Sequence, residues 1–165
     1  MNTKKPFESI VAEHGATVLR VCRAVVGFDD ADDAWSETFI SAMKAYPTLP
    51  DDANIQAWLV TIAHRKAIDI IRVQKRIAIP VDVVPDQPSS LGVPATADTE
   101  IWDHVKTVPQ KQRQVIAYHY LAGLPYLEIA EILGGTTDAA RRAASDGIKS
   151  LRKTFAGTHS KGASE

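Results

Sequence analysis

The sequence predicts an all-α protein of two small helical domains joined by a flexible linker. Apolar residues recur at helical spacing on both sides of a proline-rich stretch, and a glycine pair separates the last two helical segments. The length, 165 residues, suits two domains of roughly 70 residues each. We expect domains at residues 1–76 and 98–165, a linker at 77–97, and a helix-turn-helix in the second domain.

The N-terminal half predicts three helices. The first ends at Gly27, and Asp29 or Asp30 is expected to cap the second. Two prolines then impose a loop up to about residue 54, and the third helix covers residues 54–76 with a basic outer face. The expected buried stripes are Phe7, Ile10, Val11, His14, Val18, Val21, Cys22 and Val25; Ala31, Ala34, Trp35, Phe39, Ala42, Met43 and Tyr46; and Ile55, Leu59, Ile62, Ala63, Ala67 and Ile70.

Residues 77–97 break this periodicity. They contain four prolines together with serine and glycine, a composition typical of an extended linker. Helical patterns return at residues 99–105, from Pro109 to about Leu121, at 126–133 and at 138–155. The small, polar tail after Phe155 is expected to fray.

The last two helices predict a helix-turn-helix, a motif that places one helix in the DNA major groove. Gly134 and Gly135 permit the tight turn, and Thr136 or Thr137 can cap the second helix. Its inward positions are Ala140, Ala144, Gly147 or Ile148, Leu151 and Phe155; its outward positions are Asp138, Arg141, Arg142, Ser145 and Lys149. Arginine binds both guanine and phosphate, and the sequence leaves both roles open.

Charge is segregated along a chain with 19 basic and 20 acidic residues. Acids crowd residues 29–37 and 82–103, and bases crowd residues 65–76 and 141–153. This arrangement suits basic partners at some surfaces and acidic partners at others. The single cysteine, Cys22, excludes an internal disulfide and is expected in the core; with no long apolar run, we expect a cytoplasmic protein.

The order and spacing of several short motifs resemble bacterial RNA polymerase sigma factors of the extracytoplasmic-function group. The resemblance covers residues 7–155, with the linker unmatched. In the N-terminal half it rests on Asp30, Ala31, Asp32, Asp33, Glu37, Thr38, Phe39, Ala57, Trp58, Leu59, Ile62, Ala63, His64, Arg65, Ile68, Asp69 and Arg72. In the C-terminal half it rests on Val108, Pro109, Gln112, Arg113, Val115, Ile116, Glu128, Ile129, Ala130, Leu133, Gly134, Leu151 and Arg152.

The resemblance implies a protein that binds core RNA polymerase, directs it to promoters and helps to open the −10 element. By the same resemblance Asp30, Asp33 and Glu37 dock on the polymerase clamp; alternatively they only favour the start of their helix. Residues 47–72 and the basic residues just after them would capture melted DNA. The candidates are Asn54, Trp58, Thr61, His64, Arg65, Arg72, Lys75 and Arg76, with core packing open for Trp58 and an idle surface role open for His64.

The resemblance further implies that the final helix reads duplex DNA at the −35 element. The candidates are Thr137, Asp138, Arg141, Arg142, Ser145 and Lys149. The chain departs from the family here: Ala140 replaces a valine, Asp146 stands at a commonly basic position, and Gly147 lies inside the helix. The promoter preference therefore does not follow by analogy.

Two more expectations concern the linker and a partner. The resemblance implies that the linker threads toward the polymerase active-site channel, carrying Asp82 and Asp86, against the alternative of a passive tether. It also implies an anti-sigma partner, which nothing in the sequence identifies. A flexible linker permits both a compact inhibited arrangement and an extended bound one.

Other functional classes fit the sequence less well. Five histidines are scattered without metal-ligand spacing to Cys22, and we find neither a phosphate-binding glycine loop nor a nucleophile motif, so we expect no catalytic residue, cofactor or metal. A helix-turn-helix repressor or activator that works without polymerase would leave residues 29–76 unexplained. A helical interaction protein without DNA affinity is the third alternative.

Overall fold

The computed structural model describes residues 4–77, 105 and 107–160, with side chains up to residue 154. These ranges form six α-helices and no strand, as predicted. The N-terminal half contains α1 (Phe7–Val26), α2 (Phe28–Ala45) and α3 (Ile55–Ile77), and the C-terminal half contains α4 (Gln110–Ile116), α5 (Tyr126–Leu133) and α6 (Thr137–Ser160). Residues 78–97 of the predicted linker and 99–104 of the predicted helix lie outside the described residues.

Gly27 separates α1 from α2, as predicted. Its φ of 91° ends α1 and lets α2 begin at the next residue, with no loop between them. Its N–H donates to the Arg23 carbonyl at 3.1 Å. Because α2 begins at Phe28, the expectation that Asp29 or Asp30 caps it was wrong. Both acids lie instead in the first helical turn, where the helix dipole favours negative charge.

The core of the N-terminal half lies where α1, α2 and α3 meet. One expected position in this core was wrong, and two buried positions were missed. Met43 is 54% exposed because the core-facing residues of α2 are Phe39, Ala42 and Tyr46, and Met43 falls beside that face. Val60 and Ile71 are buried, whereas Ile62 and Ile70 are only half-buried, because α3 contacts α1 as well as α2 and so buries a wider face.

The predicted helix from Pro109 to Leu121 changes its winding partway. After α4 the backbone continues as a π-helical segment, Ala117–Leu121, in which the Ala122 N–H donates to the Ala117 carbonyl at 3.1 Å. Sequence periodicity does not predict such a widened turn, which is rare in proteins. In this segment Tyr118 is fully buried and Tyr120 is 58% exposed.

The helix-turn-helix forms as predicted from α5 and α6. Gly134 adopts the left-handed conformation (φ 79°) after α5, and Thr136 Oγ1 accepts a 3.1 Å bond from the Ala139 N–H. Thr136 is therefore the cap, and Thr137 is the first residue of α6. The helix continues to Ser160, so the expected frayed tail after residue 155 is helical as far as Ser160.

Gly147 explains how α6 packs on α4. It is buried with Ala140 and Ala144, whereas Ile148 is half-buried, so the inward position left open by the sequence is the glycine. A Cβ added at Gly147 would overlap Ile116 Cδ1 and lie 3.2 Å from Gln112 Cβ. The small residue therefore lets the two helices approach closely.

We expect Gly147→Leu to lower the free energy of unfolding by more than about 3 kcal/mol, through overpacking. Gly147→Ala should lower it by about 1 kcal/mol, because overlap with α4 outweighs the ~1 kcal/mol gain in helix propensity. Urea unfolding followed by circular dichroism measures both. Gly135→Ala is the control, since its added Cβ meets nothing within 4 Å. Stabilisation by Gly147→Ala would contradict this packing.

The two halves pack together. Buried apolar residues from both form one continuous cluster, which includes Val21 and Leu59 from the N-terminal half and Val115, Tyr118 and Ile129 from the C-terminal half. Helix α1 contacts α4 and the π-helical segment, and α3 contacts α5. The structure thus shows the described parts of the two halves in a compact arrangement.

Candidate polymerase and nucleic-acid interfaces

An acidic stripe runs along the outer face of α2. Asp33 and Glu37 are both exposed, and their spacing of four residues places them side by side, with Ile40 (45% exposed) on the same face. Asp30, one turn earlier, is half-buried and accepts a hydrogen bond from Gln74 Nε2 of α3. Of the three predicted polymerase-binding residues, two are therefore free surface groups and the third is tied to α3.

The loop before α3 is fixed at its end by Asn54. The Asn54 side-chain oxygen accepts a 3.2 Å bond from the Ala57 N–H, so this residue caps the helix. Trp58 is half-buried, with its ring 6.3 Å from that of Tyr46. The structure gives Trp58 the packing role that the sequence left open and still exposes part of its ring.

Two of the predicted −10 residues face the C-terminal half. His64 Nδ1 lies 2.7 Å from the Tyr118 hydroxyl, and the rings meet edge to face at 5.6 Å. Thr61 lines a cleft of about 280 Å³ whose opposite wall is Glu128 and Glu131 of α5. In the compact arrangement these two side chains are partly covered.

The His64–Tyr118 hydrogen bond joins two uncharged groups. Burial, and to a smaller extent the charge of Arg65, lowers the pKa of His64, so the imidazole is neutral near pH 7. Burial raises the pKa of Tyr118 well above its ordinary value, so the phenol keeps its proton. His64 is therefore not an idle surface histidine in this arrangement.

The remaining predicted −10 residues are exposed cations on α3. Arg65, Arg72, Lys75 and Arg76 are all open to solvent. The ion-pair geometry of the described residues gives none of the four a carboxylate partner. Such side chains are suited to holding a phosphate backbone, which positions a strand without reading its bases.

The predicted −35 residues share the outer face of α6. Asp138, Arg141, Arg142, Ser145 and Lys149 are exposed, and Thr137 is half-buried. Arg141 lies 3.8 Å from Asp138 and 5.9 Å from the centre of the Tyr126 ring, so it is partly held along the helix surface. Arg142 has neither contact. Its side chain is therefore less restrained than that of Arg141, although the two residues are adjacent.

Sequence reasoning missed an aromatic wall beside this face. A cleft of about 260 Å³ lies along residues 141–152 of α6, and Tyr120 and Tyr126 form the side opposite that helix. Its α6 side is Arg141, Ser145, Lys149 and Arg152, at helical spacing. The sequence did carry a signal for this cleft, because Tyr120 and Tyr126 lie six residues apart and precede a basic helix. The π-helical segment that orients Tyr120 was not predictable.

Metal clusters, exposed cysteines and membrane-spanning helices are absent from the part of the chain that the structure describes. Within residues 4–77, 105 and 107–154, no three His, Cys, Asp or Glu side chains converge on a metal position. Cys22 is buried, and burial raises the pKa of its thiol to about 12, so it is unreactive at neutral pH. None of the helices in these ranges is both long and apolar enough to cross a membrane.

Both halves match known protein families. The model described as "Sigma-70 region 2" matches residues 10–77, and "Sigma-70, region 4" matches residues 99–151. The chain is similar to the RNA polymerase sigma factor SigV of Bacillus subtilis, with 26% identity over 151 residues that cover 91% of each chain. It is also similar to the ECF RNA polymerase sigma factor SigD of Mycobacterium tuberculosis, with 29% identity over 148 residues, 82% of this chain and 70% of SigD.

Two solved structures share the fold. One is the sigma factor RpoE in complex with the anti-sigma factor NepR from Bartonella quintana (TM-score 0.71, 18% identity, 90% of this chain and 96% of that one). The other is CnrH in complex with the cytosolic domain of CnrY (TM-score 0.66, 20% identity, 92% and 88%). At these identities the likeness concerns architecture alone.

Proposed function

Because the chain belongs to the RNA polymerase sigma factors of the extracytoplasmic-function group, we propose that its two domains divide promoter recognition between them. Residues 1–76 bind core polymerase and the −10 element, residues 98–165 bind the −35 element, and residues 77–97 connect them. The observation that carries this proposal is the pair of exposed cationic helix faces, on α3 and α6, in a chain whose α2 face is acidic. The protein acts in the cytoplasm as an initiation factor and has no catalytic role of its own.

The polymerase contact is assigned to the outer face of α2. Asp33 and Glu37 supply exposed negative charge, and Ile40 supplies exposed apolar surface next to them. Charged groups around an apolar centre are the usual composition of a protein–protein interface. Asp30 contributes less directly, because its carboxylate is already bonded to Gln74.

The −10 contact is assigned to the start and outer face of α3. Asn54 and Trp58 lie where the loop enters the helix, and Arg65 and Arg72 follow along its exposed side. An unpaired base can stack on an aromatic ring while the cations hold the adjoining phosphates. Arg72, Lys75 and Arg76 extend the phosphate-binding face to the end of α3.

The compact arrangement has to open before all of the predicted −10 residues can be used. Thr61 and His64 are partly covered by the C-terminal half. The polar fit of that half is imperfect: Arg113 Nε and Glu128 Oε2 are buried without a hydrogen-bond partner, although both residues line clefts between the halves. Water can pair with both atoms once the domains move apart, which favours release of the domains. We therefore propose that the domains separate on polymerase.

An anti-sigma protein is proposed as a further partner. The two structures that share this fold were solved with partners, an anti-sigma factor in one case. A protein that bound both halves at once would hold the compact arrangement and keep Thr61 and His64 covered. The residues it would contact are not assigned.

The −35 assignment is tested by Arg141→Ala combined with Arg142→Ala. We expect run-off transcription from a −35-dependent promoter to fall about 10- to 100-fold, since a base-contacting arginine contributes about 1–3 kcal/mol. Competition binding to core polymerase should stay unchanged. Lys111→Ala combined with Arg20→Ala, at exposed sites outside α6, is the charge-matched control. An equal loss of polymerase binding would contradict the assignment.

A further inference from the structure

The segment before α1 packs against the turn that follows α2. Lys4 Nζ lies 2.7 Å from the Tyr46 carbonyl oxygen, 2.5 Å from that of Leu49 and 3.4 Å from that of Pro47. Tyr46 and Pro47 lie in the short 3₁₀ turn Tyr46–Thr48 that follows α2, and Leu49 is the residue after that turn. The Tyr46 carbonyl also accepts the Leu49 N–H at 3.1 Å. Carbonyls at a helix end are partly negative, so an ammonium group there bonds them and complements the helix dipole.

A second set of contacts runs through Tyr46. Its hydroxyl donates to the Lys5 carbonyl at 2.5 Å, and Lys4 Nζ lies 4.9 Å from its ring centre. The same ring is 5.5 Å from that of Phe7 and 6.3 Å from that of Trp58. The N-terminal segment is therefore fixed at two points, and the contacts continue to the first turn of α3.

These contacts border a cleft of about 220 Å³. Lys4 and Tyr46 form one side, and Leu49, Pro50, Asp51 and Ile55 form the rest. The chain from Leu49 leads directly to Asn54, which caps α3. The shape of this loop therefore depends on the turn that Lys4 holds.

We propose that Lys4 is a positioning residue for −10 recognition. It fixes the turn at residues 46–49 and thereby the loop and cleft through which the start of α3 meets melted DNA. This inference rests on the function proposed above for residues 47–72. Lys4 precedes residue 10, where the match to sigma-70 region 2 begins, so the match does not assign it a role.

The test compares Lys4→Met, Lys4→Arg and Lys111→Met in the full chain with core polymerase. Lys4→Met keeps the aliphatic stem and removes the ammonium group, and Lys111→Met removes one exposed charge elsewhere. Affinity for core polymerase is measured by competition, promoter opening by permanganate reactivity of the melted thymines, and −10 preference by single-base substitutions in the promoter.

We expect Lys4→Met to reduce promoter opening about tenfold and to flatten the −10 preference, because charge-assisted bonds to the turn are lost. Affinity for polymerase should match that of Lys111→Met, and Lys4→Arg should restore both the opening and the preference. Equal opening and preference in Lys4→Met and Lys111→Met would overturn the proposal.

Two further outcomes have distinct meanings. In one, Lys4→Met leaves the −10 preference unchanged but weakens the salt dependence of DNA binding by about one phosphate contact. That result would overturn the positioning role and make Lys4 a direct phosphate ligand. Wild-type transcription that ignores the −10 sequence would contradict the function proposed for residues 47–72 itself, whatever the Lys4 variants do.

Discussion

Asp33→Lys combined with Glu37→Lys is expected to weaken binding to core RNA polymerase by at least about 100-fold. Both side chains are exposed on one face of α2, beside the exposed Ile40. Reversing two charges replaces attraction to a basic partner with repulsion, and close charge pairs at interfaces couple by about 1.5–7 kcal/mol. Competition against a labelled sigma factor for core polymerase measures the affinity, and fluorescence-monitored association should show a slower on-rate.

The matched control changes the same net charge at other exposed sites. Glu8→Lys combined with Asp32→Lys lies off the Asp33–Glu37 face, and both residues are exposed. This control should bind polymerase within about threefold of wild type at physiological salt, where exposed charges are largely screened. Equal losses in the two double variants would show that overall charge, and not the α2 face, sets the affinity.

Cross-linking the two halves in the compact arrangement is expected to reduce −10-dependent initiation at least about 50-fold. Ala57 of α3 and Glu131 of α5 line the same 280 Å³ cleft, so cysteines at both positions can be joined by a bis-maleimide with a cleavable disulfide spacer. A chain locked in this state keeps Thr61 and His64 partly covered. If the open state falls to about 1% of the population, activity falls in proportion. Run-off transcription before and after reduction of the spacer measures the effect.

The natural cysteine does not interfere with this experiment. Burial of Cys22 and a thiol pKa of about 12 keep it from reacting with maleimide at neutral pH. Each single-cysteine variant treated with the same reagent should retain activity, and reduction should restore activity to the double variant. Full initiation by the cross-linked protein would rule out domain separation as a requirement.

The helices were predictable because their signals are local. Gly27 ends α1 and Gly134 ends α5, because glycine tolerates a positive φ. Asn54 caps the start of α3 with its side-chain oxygen. The core positions of α3 were less predictable, since periodicity gives the centre of a buried face but not its width. Met43 was misplaced for the same reason.

For the candidate sites, the sequence predicted which residues share an exposed helix face, but not which residues of different helices meet. The exposed positions on α2, α3 and α6 follow from helical spacing, but contacts between the two halves do not. The partnership of His64 with Tyr118 depends on a π-helical turn and on domain packing, neither of which leaves a periodic signal. The contact of Lys4 with the turn after α2 joins residues more than forty positions apart.

The central claim is that this chain directs core polymerase to promoters through both of its domains. The most direct measurement mixes the full-length protein with core polymerase and a promoter library, and maps the transcription start sites. We predict new start sites that require this protein and that lose activity when either the −10 or the −35 element is changed. A competent library that yields no such transcripts, while the protein alone binds duplex DNA tightly, would contradict the claim.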